Sequence, residues 1–420
     1  NKLYLFNWTE YMDPEIIEAF EERYDVDVVQ NYFNSLPEMF AKLNAGGVSQ
    51  YDIIVPSNYY VPRLIQTGLV QKLDKSKLEN LDNVMAQFRD PAFDPGAEYS
   101  APYQWGTTGI VYNTETFPEA PKSWSLLFDP EVNPDHPFAL MGDGQVSMGG
   151  ACAYLGHGYD CTDMNAWKEA ARLLIDTKGR DTFSGFTDGT PALQQLARGV
   201  THVGLSYNGD YLFFKDEDPE TFAHLDFMIP DEGAEMWVDS MLIPAEAPNP
   251  DMAHKFIDFI LDAEVGAQLS NYNYYASPNA AAEPYLDAVL TEPPVQPSEA
   301  DMERLRFTPS LEGDALQTFQ QLWSEAQSRC EQGPRHRAGG PPSRARKFPM
   351  SNRQEQPLLN DWFQRHGITE VECLVSDLTG ILKGKIMPAG KYLNGGRPRL
   401  PDSIFIQTVT GGYPDDEDIR

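Results

Sequence analysis

The stretch Phe6-Asn7-Trp8-Thr9-Glu10-Tyr11 lies between an apolar run, Leu3-Tyr4-Leu5-Phe6, and the triplet Asp13-Pro14-Glu15. The run reads as a strand. Asp13, Pro14 and the following acid read as a helix start, with Asp as the cap and Pro at the first helical position. An indole, a carboxylate and a phenol are thereby placed in a loop leaving the carboxyl end of a strand, where open α/β sheets bind their ligands. Glu10 suits an ammonium, and the faces of Trp8 and Tyr11 suit its methylenes and its charge. Taken alone, the stretch is better explained by two rings in a core and a solvated Glu10.

The alternation continues outward. Residues 26–29 and 52–55 read as further strands, and 36–43 as a helix capped by Ser35 with Pro37 in its first turn. The strand 52–55 ends in Pro56-Ser57-Asn58-Tyr59-Tyr60, again polar and aromatic groups at a carboxyl end. Residues 64–69 continue as helix. Short connections between these pieces predict a mostly parallel sheet with helices on both faces, an α/β fold. Two strand-like pieces with glycines follow, 101–106 and 109–112.

A second α/β series then begins. Strands are expected at 138–141, 203–206 and 227–230, and helices at 147–155, 164–175 and 192–197. Glu235-Met236-Trp237-Val238-Asp239-Ser240 precedes an apolar run at 241–243, and helices are expected at 253–261, 263–271 and 313–328.

A chain of 420 residues is too long for one ordinary core, so two or more domains are expected. No run is long and apolar enough to span a bilayer. The chain starts at Asn1, on the first strand, without a signal peptide; it reads either as cytoplasmic or as a mature chain after cleavage. The formal charge of −31 is uneven. From Arg329 onward there are 14 Lys+Arg against 11 Asp+Glu, and before it 18 against 52. Such a field repels nucleic acid and anionic membranes and attracts cations. High-salt adaptation gives the same signature. Cys152 and Cys161 are close enough in sequence for a small-loop disulfide in an oxidising compartment.

No phosphate-binding loop, dinucleotide fingerprint or HExxH motif is present, and the seven histidines are scattered. Catalysis by the first 328 residues, a cofactor and a metal centre are therefore not expected. What recurs is an aromatic ring or a carboxylate at a predicted strand end: Trp8 and Glu10, Ser57 and Tyr59, Asp143, Tyr207, Trp237 and Asp239, and Tyr275. Each ring alone fits core packing, and each acid alone fits a helix cap, Asp143 most of all. Together they describe a cleft lined with rings and a few acids. Tyr272, Tyr274 and Tyr275 leave a rival open, since clustered tyrosines also ligate ferric iron.

Four segments carry a resemblance. Residues 6–11, Asp52-Ile53-Ile54-Val55-Pro56-Ser57-Asn58-Tyr59-Tyr60-Val61, Pro102-Tyr103-Gln104-Trp105-Gly106 and Trp237-Val238-Asp239-Ser240 together look like the spermidine/putrescine-binding proteins of bacterial ABC importers. The similarity runs in order from about Leu3 to Ser328. It implies a type II periplasmic binding protein: two α/β lobes, two hinge crossovers near 107–112 and 237–243, and a polyamine buried between the lobes. The lobes implied are 1–108 with 238–283 and 109–237 with 284–328. A permease of the inner membrane is the implied partner, and a periplasmic monomer the implied form. Ligand contacts are implied for Trp8, Thr9, Glu10, Tyr11, Ser57, Tyr59, Asp143, Tyr207, Trp237, Asp239 and Tyr275. Two positions depart from the family. Tyr207 stands where the spermidine binder has tryptophan, and a family glutamate is missing near Val146, with Gln145 the closest polar neighbour. The choice between diamine and triamine is left open.

Beyond Ser328 the composition breaks. Residues 329–349 are rich in Arg, Gly and Pro and read as a disordered basic linker. After Met350, a helix at 358–366 and strands at 371–375 and 381–386 are expected. Ile368-Thr369-Glu370-Val371-Glu372-Cys373 with Ser376-Asp377-Leu378-Thr379-Gly380-Ile381-Leu382-Lys383-Gly384-Lys385 is similar to the N-terminal β-grasp part of the glutamine synthetase family. The γ-glutamylputrescine synthetase branch, which consumes putrescine, is the attractive candidate. Residues 350–420 stop before any catalytic barrel, so this fragment is expected to be silent. Read together, the two resemblances suggest two neighbouring polyamine genes joined in one chain, by a real fusion or by a sequence error.

Overall fold

The computed structural model describes residues 2–9, 11–33, 35–187, 189–328, 370–376 and 382–388, the last two segments by their backbone alone. The chain forms two compact units, Asn1–Pro334 and Arg335–Arg420.

The first unit is built on one mixed sheet. Its strands are β1 (Lys2–Trp8), β2 (Asp27–Phe33), β3 (Ile53–Ile54), β4 (Val70–Gln71), β5 (Ser100–Asn113) and β6 (Phe138–Leu140). They continue as β7 (Phe183–Phe186), β8 (Val203–Tyr207), β9 (Leu225–Met228), β10 (Ala234–Pro244) and β11 (Leu305–Phe307). The order across the sheet is β2-β1-β3-β10-β5-β8-β6-β7, with β4 and β11 also on β10 and β9 on β5. Pairing is parallel at β2-β1-β3 and at β8-β6-β7. It is antiparallel along β3-β10-β5-β8. The sheet is thus parallel in its flanks, as expected, and antiparallel at its centre, which strand–helix alternation does not reveal.

The two pieces expected at 101–106 and 109–112 are one strand of 14 residues, β5. Its glycines read as breaks, but they make room for rings: a Cβ at Gly109 would meet Phe227 at 2.4 Å, and one at Gly106 would meet Trp237 at 2.5 Å. The apolar run 241–243 likewise joins the segment before it in β10. Both strands are buried along nearly their whole length, so polar–apolar alternation is lost.

Helix starts follow the caps. Asp13 Oδ1 accepts from the Glu15 amide at 2.9 Å and opens the helix Pro14–Tyr24. Ser35 Oγ accepts from the Glu38 amide at 3.3 Å and opens Leu36–Asn44. Asp143 starts its helix at Gly144, three residues before the expected 147. The helix Asn208–Glu217 was not expected, because it opens with Asn and Gly, both poor helix formers. The helix expected at 64–69 is Val61–Gln66, and the strand expected at 52–55 shortens to β3.

Two large apolar clusters sit against the sheet. One joins Leu3, Leu5 and Ile53 to Val238, Met241 and Phe256. The other joins Ile110, Leu140 and Val203 to Trp124, Trp167 and Phe319. Cys152 and Cys161 are free thiols lining one small cavity with Tyr159 and Trp167, so the small-loop disulfide is not formed. In the second unit, β12 (Glu370–Ser376) and β13 (Leu382–Pro388) pair antiparallel, Cys373 opposite Lys385. The linker 329–349, the helix expected at 358–366 and the turn 377–380 lie outside the described residues.

Candidate functional site

The carboxyl ends of several strands meet beside the central pair β5 and β10. On β10 the residues Glu235, Trp237 and Asp239 alternate onto one face. Asp239 is buried and accepts a 2.6 Å hydrogen bond from the Ser57 hydroxyl, which follows β3. Trp237 meets Tyr275 edge-on at 5.1 Å and Tyr207, at the end of β8, at 6.0 Å. Tyr11 continues the ring chain, at 5.7 Å from Tyr275 and 5.1 Å from Tyr103. Two glycines admit these rings: Gly106 lies under Trp237, and a Cβ at Gly209 would meet Tyr275 at 2.5 Å. Tyr275 is held from behind by its hydroxyl, which donates to Asp210 at 2.5 Å.

The Tyr11 hydroxyl joins the rings to Asp239, so Tyr11, Ser57, Tyr207, Trp237, Asp239 and Tyr275 form one connected group. Asp143 caps the helix Gly144–Tyr154, accepting from the Gln145 amide at 2.8 Å and the Val146 amide at 3.4 Å. The cap reading of Asp143 is thus correct, yet the same carboxylate raises the pKa of Tyr59. Among the described residues, Trp8 and Thr9 make none of these contacts: Trp8 packs on Phe33 at 4.5 Å and Thr9 is exposed. Glu10 lies outside the described residues. Val146 is buried in the second apolar cluster. The three tyrosines of the iron rival share no partner, since Tyr274 donates to Asp216, Tyr275 to Asp210, and Tyr272 is exposed. Among the described residues no group of three His, Cys, Asp or Glu side chains could hold a metal.

The electrostatics are one-signed. Burial pushes Asp239 up to about 6, against the pull of the Ser57 and Tyr11 hydroxyls. Burial and then the charge of Asp143 push Glu235 up to about 7. Burial also raises Asp210. Tyr11, Tyr59 and Tyr275 stand well above the ordinary phenol range, through burial first and nearby carboxylates second. Among the described residues the indole N–H groups of Trp8 and Trp237 are buried with no hydrogen-bond partner, and the buried Tyr11 hydroxyl faces Asp239. A site of this kind offers negative charge and ring faces to a cation with an apolar body.

Glu235 and Asp210 were missed from sequence. The signal in sequence for Glu235 is its spacing alone, two residues from Trp237 and four from Asp239, which does not tell a buried acid from a solvated one. Asp210 was hidden in the unexpected helix.

The chain is similar to proteins of known function. The bacterial extracellular solute-binding protein family matches residues 15–296. A putrescine/cadaverine-binding protein of Pseudomonas aeruginosa is 34% identical over 337 residues, 78% of this chain and 94% of that protein. The spermidine/putrescine-binding periplasmic protein of Escherichia coli is 33% identical over 287 residues, 67% of this chain and 79% of that protein. Among solved structures, a spermidine/putrescine ABC transporter protein of Listeria monocytogenes superposes with a TM-score of 0.70 at 31% identity, covering 78% of this chain and 99% of that one. The chain belongs to the bacterial extracellular solute-binding protein family, with the fold of its type II periplasmic members.

Proposed function

From that membership we propose that the chain captures a linear aliphatic polyamine, putrescine or spermidine, outside the cytoplasm and delivers it to an ABC permease of the inner membrane. The named relatives bind such amines. The observation that carries the reading is Asp239, a carboxylate buried beside the connected rings of Trp237, Tyr275 and Tyr11 with no cation paired to it among the described residues. An isolated buried charge is costly, and a bound ammonium compensates it. The rings then cover the methylenes, which need no hydrogen bonds.

The site comprises Trp8, Thr9, Glu10, Tyr11, Ser57, Tyr59, Asp143, Tyr207, Trp237, Asp239 and Tyr275. The protein works as a periplasmic monomer. Its lobes, 1–108 with 238–283 and 109–237 with 284–328, hinge on the crossovers in β5 and β10 and close on the ligand. The two apolar clusters follow that division in the main, with Leu212, Leu290 and Val295 packing in the first rather than the second. The segment 350–420 takes no part in binding and is catalytically silent.

A thermal-shift panel of putrescine, cadaverine, spermidine, spermine and ferric ion tests the reading. A ligand bound only by the folded state raises its apparent stability. At least one amine is expected to raise the melting temperature and ferric ion is not. A shift with ferric ion alone, accompanied by a visible tyrosinate band, would replace this function with iron capture.

A further inference from the structure

Glu235 is as buried as its two neighbours on the same face of β10, 5% exposed against 8% for Trp237 and 6% for Asp239. Its carboxylate accepts from the hydroxyls of Thr108 on β5, at 2.5 Å, and of Thr308 just beyond β11. Each oxygen thus has one donor and capacity for another. No positive side chain pairs with it among the described residues. Arg306, its register partner on β11, is exposed and donates instead to the carbonyls of Glu303 and Leu305. The charges that face Glu235 are negative: Asp143 from the start of the helix Gly144–Tyr154 and, less strongly, Asp239. Tyr59 and Tyr159 are titratable neighbours as well.

A buried carboxylate turned toward two others is destabilised unless it takes a proton or a cation. We infer that Glu235 is an ammonium ligand, holding together with Asp143 the end of an aliphatic polyamine opposite to the end held by Asp239. This rests on the polyamine reading above and adds a carboxylate that β10 supplies where the helix carries Val146. The span is suitable. Four residues of strand advance about 13 Å. An extended four-carbon diamine separates its nitrogens by about 6 Å, and a hydrogen bond at each end brings the reach to about 12 Å. The ligand class is therefore a linear diammonium of at least four carbons between charges.

The role has a proton signature. Glu235, pushed up to about 7, is part-protonated in the free protein at neutral pH. An ammonium favours its ionised form, so binding releases a proton.

Calorimetry with putrescine and spermidine at pH 6.5, in two buffers of different ionisation enthalpy, reads both affinity and proton release. Glu235→Gln is expected to weaken the better ligand by tens-fold and to remove part of the proton release. Glu235→Asp should recover some of both. Thr308→Val, which keeps the carboxylate but removes one donor to its charged form, should move the affinity–pH profile toward higher pH. If Glu235→Gln matches the parent in affinity and proton count, Glu235 is a structural carboxyl and the inference fails. Should that variant not fold, an unmoved profile in Thr308→Val has the same consequence. A parent that binds neither amine at pH 8 overturns the polyamine reading itself.

Discussion

Two carboxylates four residues apart on one strand meet different surroundings. Asp239 sits among rings and accepts the Ser57 hydroxyl. Glu235 sits between two threonine hydroxyls and faces Asp143. Burial is the first cause of the upward shift in both, but only Glu235 is opposed chiefly by another carboxylate. Asp239, at about 6, is mostly ionised at neutral pH, whereas Glu235, at about 7, is divided between its two forms. One end of the proposed site is thus a standing anion and the other a carboxyl that a cation can ionise.

The largest test of that contrast is Asp239→Asn. Removing one partner of a desolvated charge pair costs about 2–5 kcal/mol. Putrescine and spermidine should therefore bind tens-fold to several thousand-fold more weakly, as calorimetry at pH 8 reads. The standing anion should cost more to remove than the titrating one. If Asp239→Asn binds both amines as the parent does, the site is elsewhere. Were Glu235→Gln the more damaging change, the assignment of the two ends would be reversed.

A second test needs no ligand. Both carboxyls hold protons in the folded protein at a pH where ordinary carboxylates have lost theirs. Between about pH 5 and 8 the folded state therefore binds more protons than the unfolded state. Stability must then fall as pH rises through this window, Glu235 contributing on the order of 2–3 kcal/mol of that loss and Asp239 on the order of 1–2. The raised Asp52 and Asp210 act in the same direction. Thermal melts of ligand-free protein should show a midpoint that declines from pH 5 to 8, with saturating polyamine restoring it at pH 8. A ligand-free midpoint that is flat or rising would show that the carboxyls are not held out of water together.

Much of this arrangement was legible before the fold was known, and the limits are physical. Asp13 and the rings at strand ends announced the loops that carry the site, because caps and turns are local chemistry. Asp239 and Trp237 were readable from their motif. Glu235 was not singled out, because a lone acid in a strand usually faces water; only the pairing of β10 with β5 and β11 puts it under two threonines and beside Asp143. The antiparallel centre of the sheet was invisible for the same reason, since β5 and β10 pair across more than a hundred residues of chain. Gly106 and Gly109 signalled breaks locally, and tertiary packing of Trp237 and Phe227 overrode that signal.

Trp237 lies between the two carboxylates, and its replacement gives the smallest effect and the finest test. Its ring meets Tyr275 at 70° and Tyr207 at 86°, so the three rings form walls rather than a stack. A methylene chain running from Glu235 to Asp239 must cross that indole. Trp237→Leu keeps an apolar wall but loses the ring face, a loss of roughly 1–2 kcal/mol. Affinity should fall about five- to thirtyfold, which is less than for Asp239→Asn. Trp237→Phe, which restores a ring face, should recover most of it. The pH at which binding weakens should stay where the parent has it, because the indole carries no proton in this range. Calorimetry across pH 6–8 separates the cases. A displaced profile would mean that the ring sets the burial of both carboxylates, and that the two ends of the cleft are not independent.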